Sequence, residues 1–148
     1  MFEPRDPDYQ DKIRNSFSCQ SAMATLGMEL REIRPGQCEI LLTKNDAIVQ
    51  QMGFVHGGVL TSGLDSACGY AALSLAPKEC EVMTIELKTS FFAPAGHEQI
   101  LFVGKVLKPG RRAIFTEGEA FGLTDDVNND TRILLAKMSA TMTYIDLP

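Results

Sequence analysis

One carboxylate stands out for where it sits. Asp65 lies in the stretch VLTSGLDSACGYAALSL, residues 59–75, in which nearly every other residue is apolar or small. A helix that is apolar on all sides is buried rather than laid on a surface. An ionised carboxylate in such a place is costly unless it is paired, so Asp65 either has local partners or does chemistry. At helical spacing its neighbours are Gly58, Thr61, Ser62 and Gly69, a small and polar stripe along which a substrate could lie. Thr61, Ser62 or a backbone N–H could equally satisfy the carboxylate, leaving it a structural role.

His56-Gly57-Gly58 stands at the entrance to this helix. The first backbone N–H groups of a helix have no partner within it, and the helix dipole is positive there. Glycine lets another group approach closely, so Gly57 and Gly58 could seat an oxyanion or a polarised carbonyl oxygen, or serve packing alone. His56 could donate a hydrogen bond to a substrate carbonyl, or simply cap the helix. Eight residues at about 1.5 Å each put Asp65 roughly 12 Å along the axis from Gly57. The two cannot touch one carbonyl from the same chain. If they cooperate, the site joins two subunits, and a dimer is expected.

The elements that must position these groups follow from the rest of the pattern. Asp6-Pro7-Asp8 begins an N-terminal helix at about residue 8, with Tyr9, Ile13 and Phe17 on one face and Gly27 stopping it after Leu26. It reads as an amphipathic lid without chemistry. Residues 28–43 form a hairpin about Pro35-Gly36, with Cys38, Ile40 and Leu42 on one side and Glu39, Leu41 and Thr43 on the other. The segment 47–55 has no clear structure. The central helix spans about 57–75, ended by Ala76-Pro77. Three strands and a fourth then follow: Cys80 to Phe92, Gln99 to Leu107, Arg111 to Leu123, and Arg132 to Ile145, with a polar loop at 124–131. In the first of these, Met83, Ile85, Leu87 and Phe91 fall on one face and Thr84, Glu86, Lys88 and Ser90 on the other. His97 has no visible partner and is expected on the surface. The expected fold is α+β, one domain over residues 1–148, with a curved antiparallel sheet wrapped around the long central helix.

Composition narrows the function classes. The 148 residues carry a net charge of −5, which argues against nucleic-acid binding by bulk electrostatics. No apolar run reaches the roughly 18 residues of a membrane span, and the polar start MFEPRDPDYQ is unlike a signal peptide. The four cysteines include no CxxC pair, and the expectation is reduced thiols in the cytoplasm. The two histidines, His56 and His97, have no second ligand at short spacing, so neither a metal nor a cofactor is expected.

GFVHGG, an Asp nine residues after its His, the strand ending F-x-A-P-A-G at residues 91–96, and KPGR at 108–111 resemble the PaaI-like acyl-CoA thioesterases of the hotdog fold. The resemblance runs from about Gln50 to the C-terminus. It implies hydrolysis of an acyl-CoA, with Asp65 as general base or nucleophile and the Gly57 N–H polarising the thioester carbonyl from the partner subunit beside His56. An Asn that many relatives carry six residues before the His is Gln50 here, one methylene longer. Thr84 matches a hydroxyl residue that relatives use to hold water. Lys108, Arg111 and Arg112 form a basic cluster about the Pro109-Gly110 turn that could hold the CoA phosphates, or be a solvated hairpin tip. Hotdog proteins commonly pair as dimers of dimers. A non-catalytic acyl-CoA sensor and a thioester hydratase are the competing readings.

Overall fold

The computed structural model describes residues 2–124 and 131–146. Most of the expected polar loop at 124–131 therefore lies outside the described residues. The elements in chain order are α1 (Tyr9–Cys19), α2 (Ser21–Leu26), β1 (Met28–Arg34), β2 (Gln37–Thr43), a 3-10 turn (Asp46–Ile48), α3 (Gly57–Leu73), β3 (Cys80–Phe91), β4 (Gln99–Pro109), β5 (Ile114–Leu123) and β6 (Arg132–Asp146).

The six strands form one antiparallel sheet in the order β1-β2-β4-β5-β6-β3, curled about α3. Alternation decides which side chains face the helix. On β2, Cys38, Ile40 and Leu42 are fully buried against it, as the hairpin reading requires. Leu41 points to the outer face, where it packs with Leu101 and Val103 in a small separate cluster. The approach of helix to sheet is closest at β4. A Cβ on Gly104 would stand 2.3 Å from the Ala67 carbonyl carbon and oxygen, so only a bare backbone fits. Gly63 leaves the matching space for the Phe102 ring.

The expected single N-terminal helix is two. It breaks at Gln20, whose ψ of 87° leaves the helical region, and resumes to Leu26, where Gly27 ends it in the left-handed conformation at φ 76°. No proline or glycine causes the break; the Gln20 side chain is instead engaged by Tyr70 on α3. α1 is pinned by buried Ile13 and by Lys12, whose ammonium donates to the carbonyls of Pro77, Lys78 and Cys80 in the loop after α3. α3 ends two residues earlier than expected. Ser74, fully buried, closes it by donating to the Ala71 carbonyl at 2.6 Å while accepting from the Gly36 N–H at 2.7 Å.

Two other expectations are corrected. β3 does not alternate along its whole length, because Ile85 is a bulge: Thr84 pairs with Met142 but Glu86 pairs with Thr141, so Ile85 is an extra residue. Thr84 therefore shares the helix-facing side with Leu87, Thr89 and Phe91, while Met83 lies on the outer side with Glu86, Lys88 and Ser90. His97 is not a free surface residue. Its ring packs where a Gly122 side chain would be, and its Nδ1 is buried without a hydrogen-bond partner.

The 47–55 segment is also ordered. Asn45 caps the 3-10 turn, and a bridge between Val49 and Val55 closes a small loop just ahead of α3.

Candidate functional site

Asp65 and Thr84 meet. The Thr84 hydroxyl donates to Asp65 Oδ1 at 2.7 Å, joining the middle of α3 to β3 just before the bulge. Hydrogen bonds to a charged acceptor are short and strong, so this one holds the carboxylate in a fixed rotamer. One oxygen is spent and the other has no protein donor among the described residues. The pair opens into a cavity of about 550 Å³ lined by both residues together with Ser66 and Gly69 of α3. A Cβ on Gly69 would meet nothing within 4 Å, so the cavity reaches the helix backbone there.

The lining also includes Ser16, Cys19 and Gln20 at the junction of α1 and α2, and Tyr70 and Leu73 further along α3. The end of α1 thus lines the cavity rather than merely covering it. Helical spacing puts Ser16 and Gln20 on the same side as Tyr9, Ile13 and Phe17, but that side is read for its apolar members, so its two polar ones give no signal of a cavity. Tyr70 is only 8% exposed. Its hydroxyl lies 3.2 Å from Gln20 Oε1 and 3.4 Å from Ser16 Oγ, and its ring packs against Phe17. Burial raises the Tyr70 pKa, so it stays a neutral phenol. Burial also pushes the Cys68 thiol, behind Asp65 in the core, up to about 12.

The remaining candidates do not line this cavity. His56 caps α3, its Nδ1 accepting from the Gly58 N–H at 2.9 Å. That bond fixes the tautomer with the proton on Nε2, which faces outward as a donor, so capping and donation are compatible. Gly58 is thereby occupied, whereas the Gly57 N–H has no acceptor among the described residues. The Phe91 ring lies over Gly57, 3.2 Å from where a Cβ would be. Thr61 donates to Thr89 on β3 at 3.3 Å, and Ser62 donates back to the Gly58 carbonyl at 2.9 Å. Gln50 folds on itself, its side-chain oxygen accepting from the Met52 N–H, and its amide NH₂ has no acceptor among the described residues. Lys108, Arg111 and Arg112 are exposed about the β4–β5 turn, which the Gly110 N–H closes by donating to the Ala113 carbonyl. Ile114, just past that turn, lies in one lateral row with Met142 and Thr84. Two strand spacings, about 10 Å, separate the row's ends.

With α3 running unbroken from Gly57 to Leu73, the separation of roughly 12 Å between Gly57 and Asp65 stands. Among the described residues, no group of three or more His, Cys, Asp or Glu could hold a metal ion. No helix is long and apolar enough to cross a membrane.

A family model described as the thioesterase superfamily matches residues 52–127, just over half of the chain. The chain belongs to the thioesterase superfamily. A solved thioesterase family protein from Silicibacter pomeroyi is 38% identical, with 94% of this chain and 99% of that one covered and a TM-score of 0.88. The PaaI protein of the E. coli phenylacetic acid degradation operon superposes at a TM-score of 0.80 over 93% of this chain and 94% of its own, at 15% identity. That likeness is one of fold: the sheet curled about α3 is the hotdog fold of the superfamily. A candidate esterase of Saccharolobus solfataricus is 27% identical over 65% of this chain. The chain spans 63% of that relative's length and 66% of a second one from the same organism.

Proposed function

We propose that this protein hydrolyses acyl-CoA thioesters, with Asp65 as general base or nucleophile. The observation that carries the reading is the Asp65 carboxylate, held at 2.7 Å by Thr84 on the wall of a cavity and with no donor to its second oxygen among the described residues. As base, Asp65 takes a proton from water, the oxygen attacks the thioester carbonyl, the C–S bond breaks, and the CoA thiolate leaves to collect a proton. As nucleophile, the carboxylate attacks first and water resolves the anhydride.

The carbonyl oxygen needs a donor that Asp65's own chain does not place nearby. The Gly57 N–H of a second subunit, at the positive end of α3, fits that need, with His56 Nε2–H and the Gln50 amide beside it. Gly58, Thr61 and Ser62 then shape the helix start along which the thioester lies. Lys108, Arg111 and Arg112 serve as the phosphate contacts.

The second copy has an obvious place to add. β3 is an edge strand with twelve residues of unpaired backbone on its free side. Along it Ile85 is 59% and Phe91 53% exposed, an apolar edge that ordinary monomers avoid. A two-fold axis through β3 brings each Phe91-covered Gly57 toward the other subunit. Exposed Phe115 on the outer face offers a further surface for pairing two such dimers. The four free cysteines suit a reducing compartment such as the cytoplasm.

The test is release of CoA thiol from a panel of acyl-CoAs by the wild type and Asp65→Asn. Hydrolysis by the wild type and a loss of at least about a thousandfold in the variant is the expected result. Failure to release thiol from any substrate, or equal rates in the two proteins, removes the proposal; saturable binding without release would make the protein an acyl-CoA sensor.

A further inference from the structure

The cavity is polar at its far end. Tyr70 follows Asp65 by five residues of helix, roughly 7.5 Å along the axis and about 140° around it, so the two side chains leave α3 in different directions and share only the cavity that both line. Around its hydroxyl lie Gln20 Oε1 at 3.2 Å and Ser16 Oγ at 3.4 Å. When Tyr70 donates to Gln20 and accepts from Ser16, its oxygen keeps one lone pair. The Gln20 amide NH₂ has no acceptor among the described residues. This end of the cavity therefore offers an acceptor and a donor within reach of each other, the complement of a hydroxyl group. An aliphatic terminus placed there would leave the buried Tyr70 oxygen without that partner.

Charge adds a second restriction. The lining holds Asp65 and, at the rim, Glu81, but no Lys, Arg or His. The CoA phosphates cannot sit in it, so the cavity takes the acyl end. An acyl chain ending in a carboxylate would enter with no counter-ion and with Asp65 at the other end.

Resting on the hydrolytic reading above, we propose that this cavity selects acyl groups bearing a neutral hydroxyl at the end remote from the thioester and rejects those bearing a carboxylate there. Tyr70 and Gln20 are the specificity-determining residues. The end of α1 is then part of the substrate site, and Lys12, which fastens α1 to the loop after α3, keeps that wall in place.

The experiment compares methyl-, hydroxyl- and carboxyl-terminated straight-chain acyl-CoAs of six, eight, ten and twelve carbons as substrates, and the matching non-hydrolysable CoA thioethers as ligands in calorimetry. At the best-fitting length the wild type should prefer the hydroxyl-terminated compound over the methyl-terminated one by roughly five- to tenfold in kcat/KM and in affinity. It should discriminate against the carboxyl-terminated one by roughly a hundredfold. Tyr70→Phe, which keeps the ring against Phe17, should bring the hydroxyl preference close to one; Gln20→Ala, at an exposed position, should reduce it two- to threefold and serves if the first variant folds poorly. Equal treatment of the three end groups by the wild type at every length, or a preference that survives both substitutions, overturns the proposal. The thioethers keep the two readings apart. The expected ranking in binding without any hydrolysis upholds the selectivity and removes the hydrolase; hydrolysis of all three at equal kcat/KM does the reverse.

Discussion

Thr84→Val removes one hydroxyl and keeps the branched shape, so it isolates the bond to Asp65. In water-filled surroundings a lost hydrogen bond to a carboxylate is mostly replaced by solvent. Here Asp65 is half-buried on an apolar helix, which places the loss at about 1–2 kcal/mol, below the full range for a charged acceptor. The effect on catalysis follows from position rather than from stability. Without Thr84 the carboxylate can turn away from the carbonyl, and kcat should fall by about 10- to 100-fold, since each decade is about 1.4 kcal/mol. KM should change much less, because Thr84 holds the base and not the CoA. The decisive measurement is a double-mutant cycle. In the Asp65→Asn background there is no carboxylate to hold, so adding Thr84→Val should cost less than about twofold in residual thiol release. Denaturant unfolding of the same four proteins separates folding from chemistry. If Thr84→Val cost the same factor with and without Asp65, or lowered stability while leaving kcat untouched, the two residues would not act as one unit and the reasoning would fail.

Gly104→Ala forces a Cβ to within 2.3 Å of the Ala67 backbone, and neither helix nor strand can yield cheaply; unfolding in urea should show a loss of at least about 3 kcal/mol. Charging the open edge with Ile85→Lys should convert a dimer to single chains in sedimentation and abolish thiol release with it; a variant that stays dimeric would place the interface elsewhere. The Cys68 thiol is raised from 9.0 to about 12 because the fold favours its neutral form. That contribution to stability is therefore complete below pH 9 and is lost as pH rises from about 9 toward 12, which denaturant midpoints across that range would show, with Cys68→Ala flattening the slope. Iodoacetamide at neutral pH should label exposed Cys19 first, with buried Cys38 and Cys68 reacting only on unfolding.

The route to the family was legible because its signals are local. An all-apolar helix with one acid, a Gly-Gly start, and strands of period two reflect backbone sterics and the need to bury one face, and these act within a few residues. They suffice for α3, for the hairpin of β1 and β2, for the four later strands, and for Asp65 as the residue to watch. His56 left two roles open, and its Nδ1 bond to Gly58 reconciles them. Other features depend on partners distant in sequence. The Ile85 bulge exists only in the pairing of β3 with β6, and without it simple alternation puts Thr84 on the wrong face of β3 relative to Leu87 and Phe91. The break at Gln20 has no breaker residue, only a tyrosine fifty positions away. Periodicity places Ser16 and Gln20 on one side of α1, but their meeting with Tyr70 is set by helix packing that it does not encode. The chain by itself thus determined which element is buried and which acid it carries; the tertiary structure alone decided what that acid faces, because a hydrogen bond between α3 and β3 is set by register and packing rather than by any neighbouring residue.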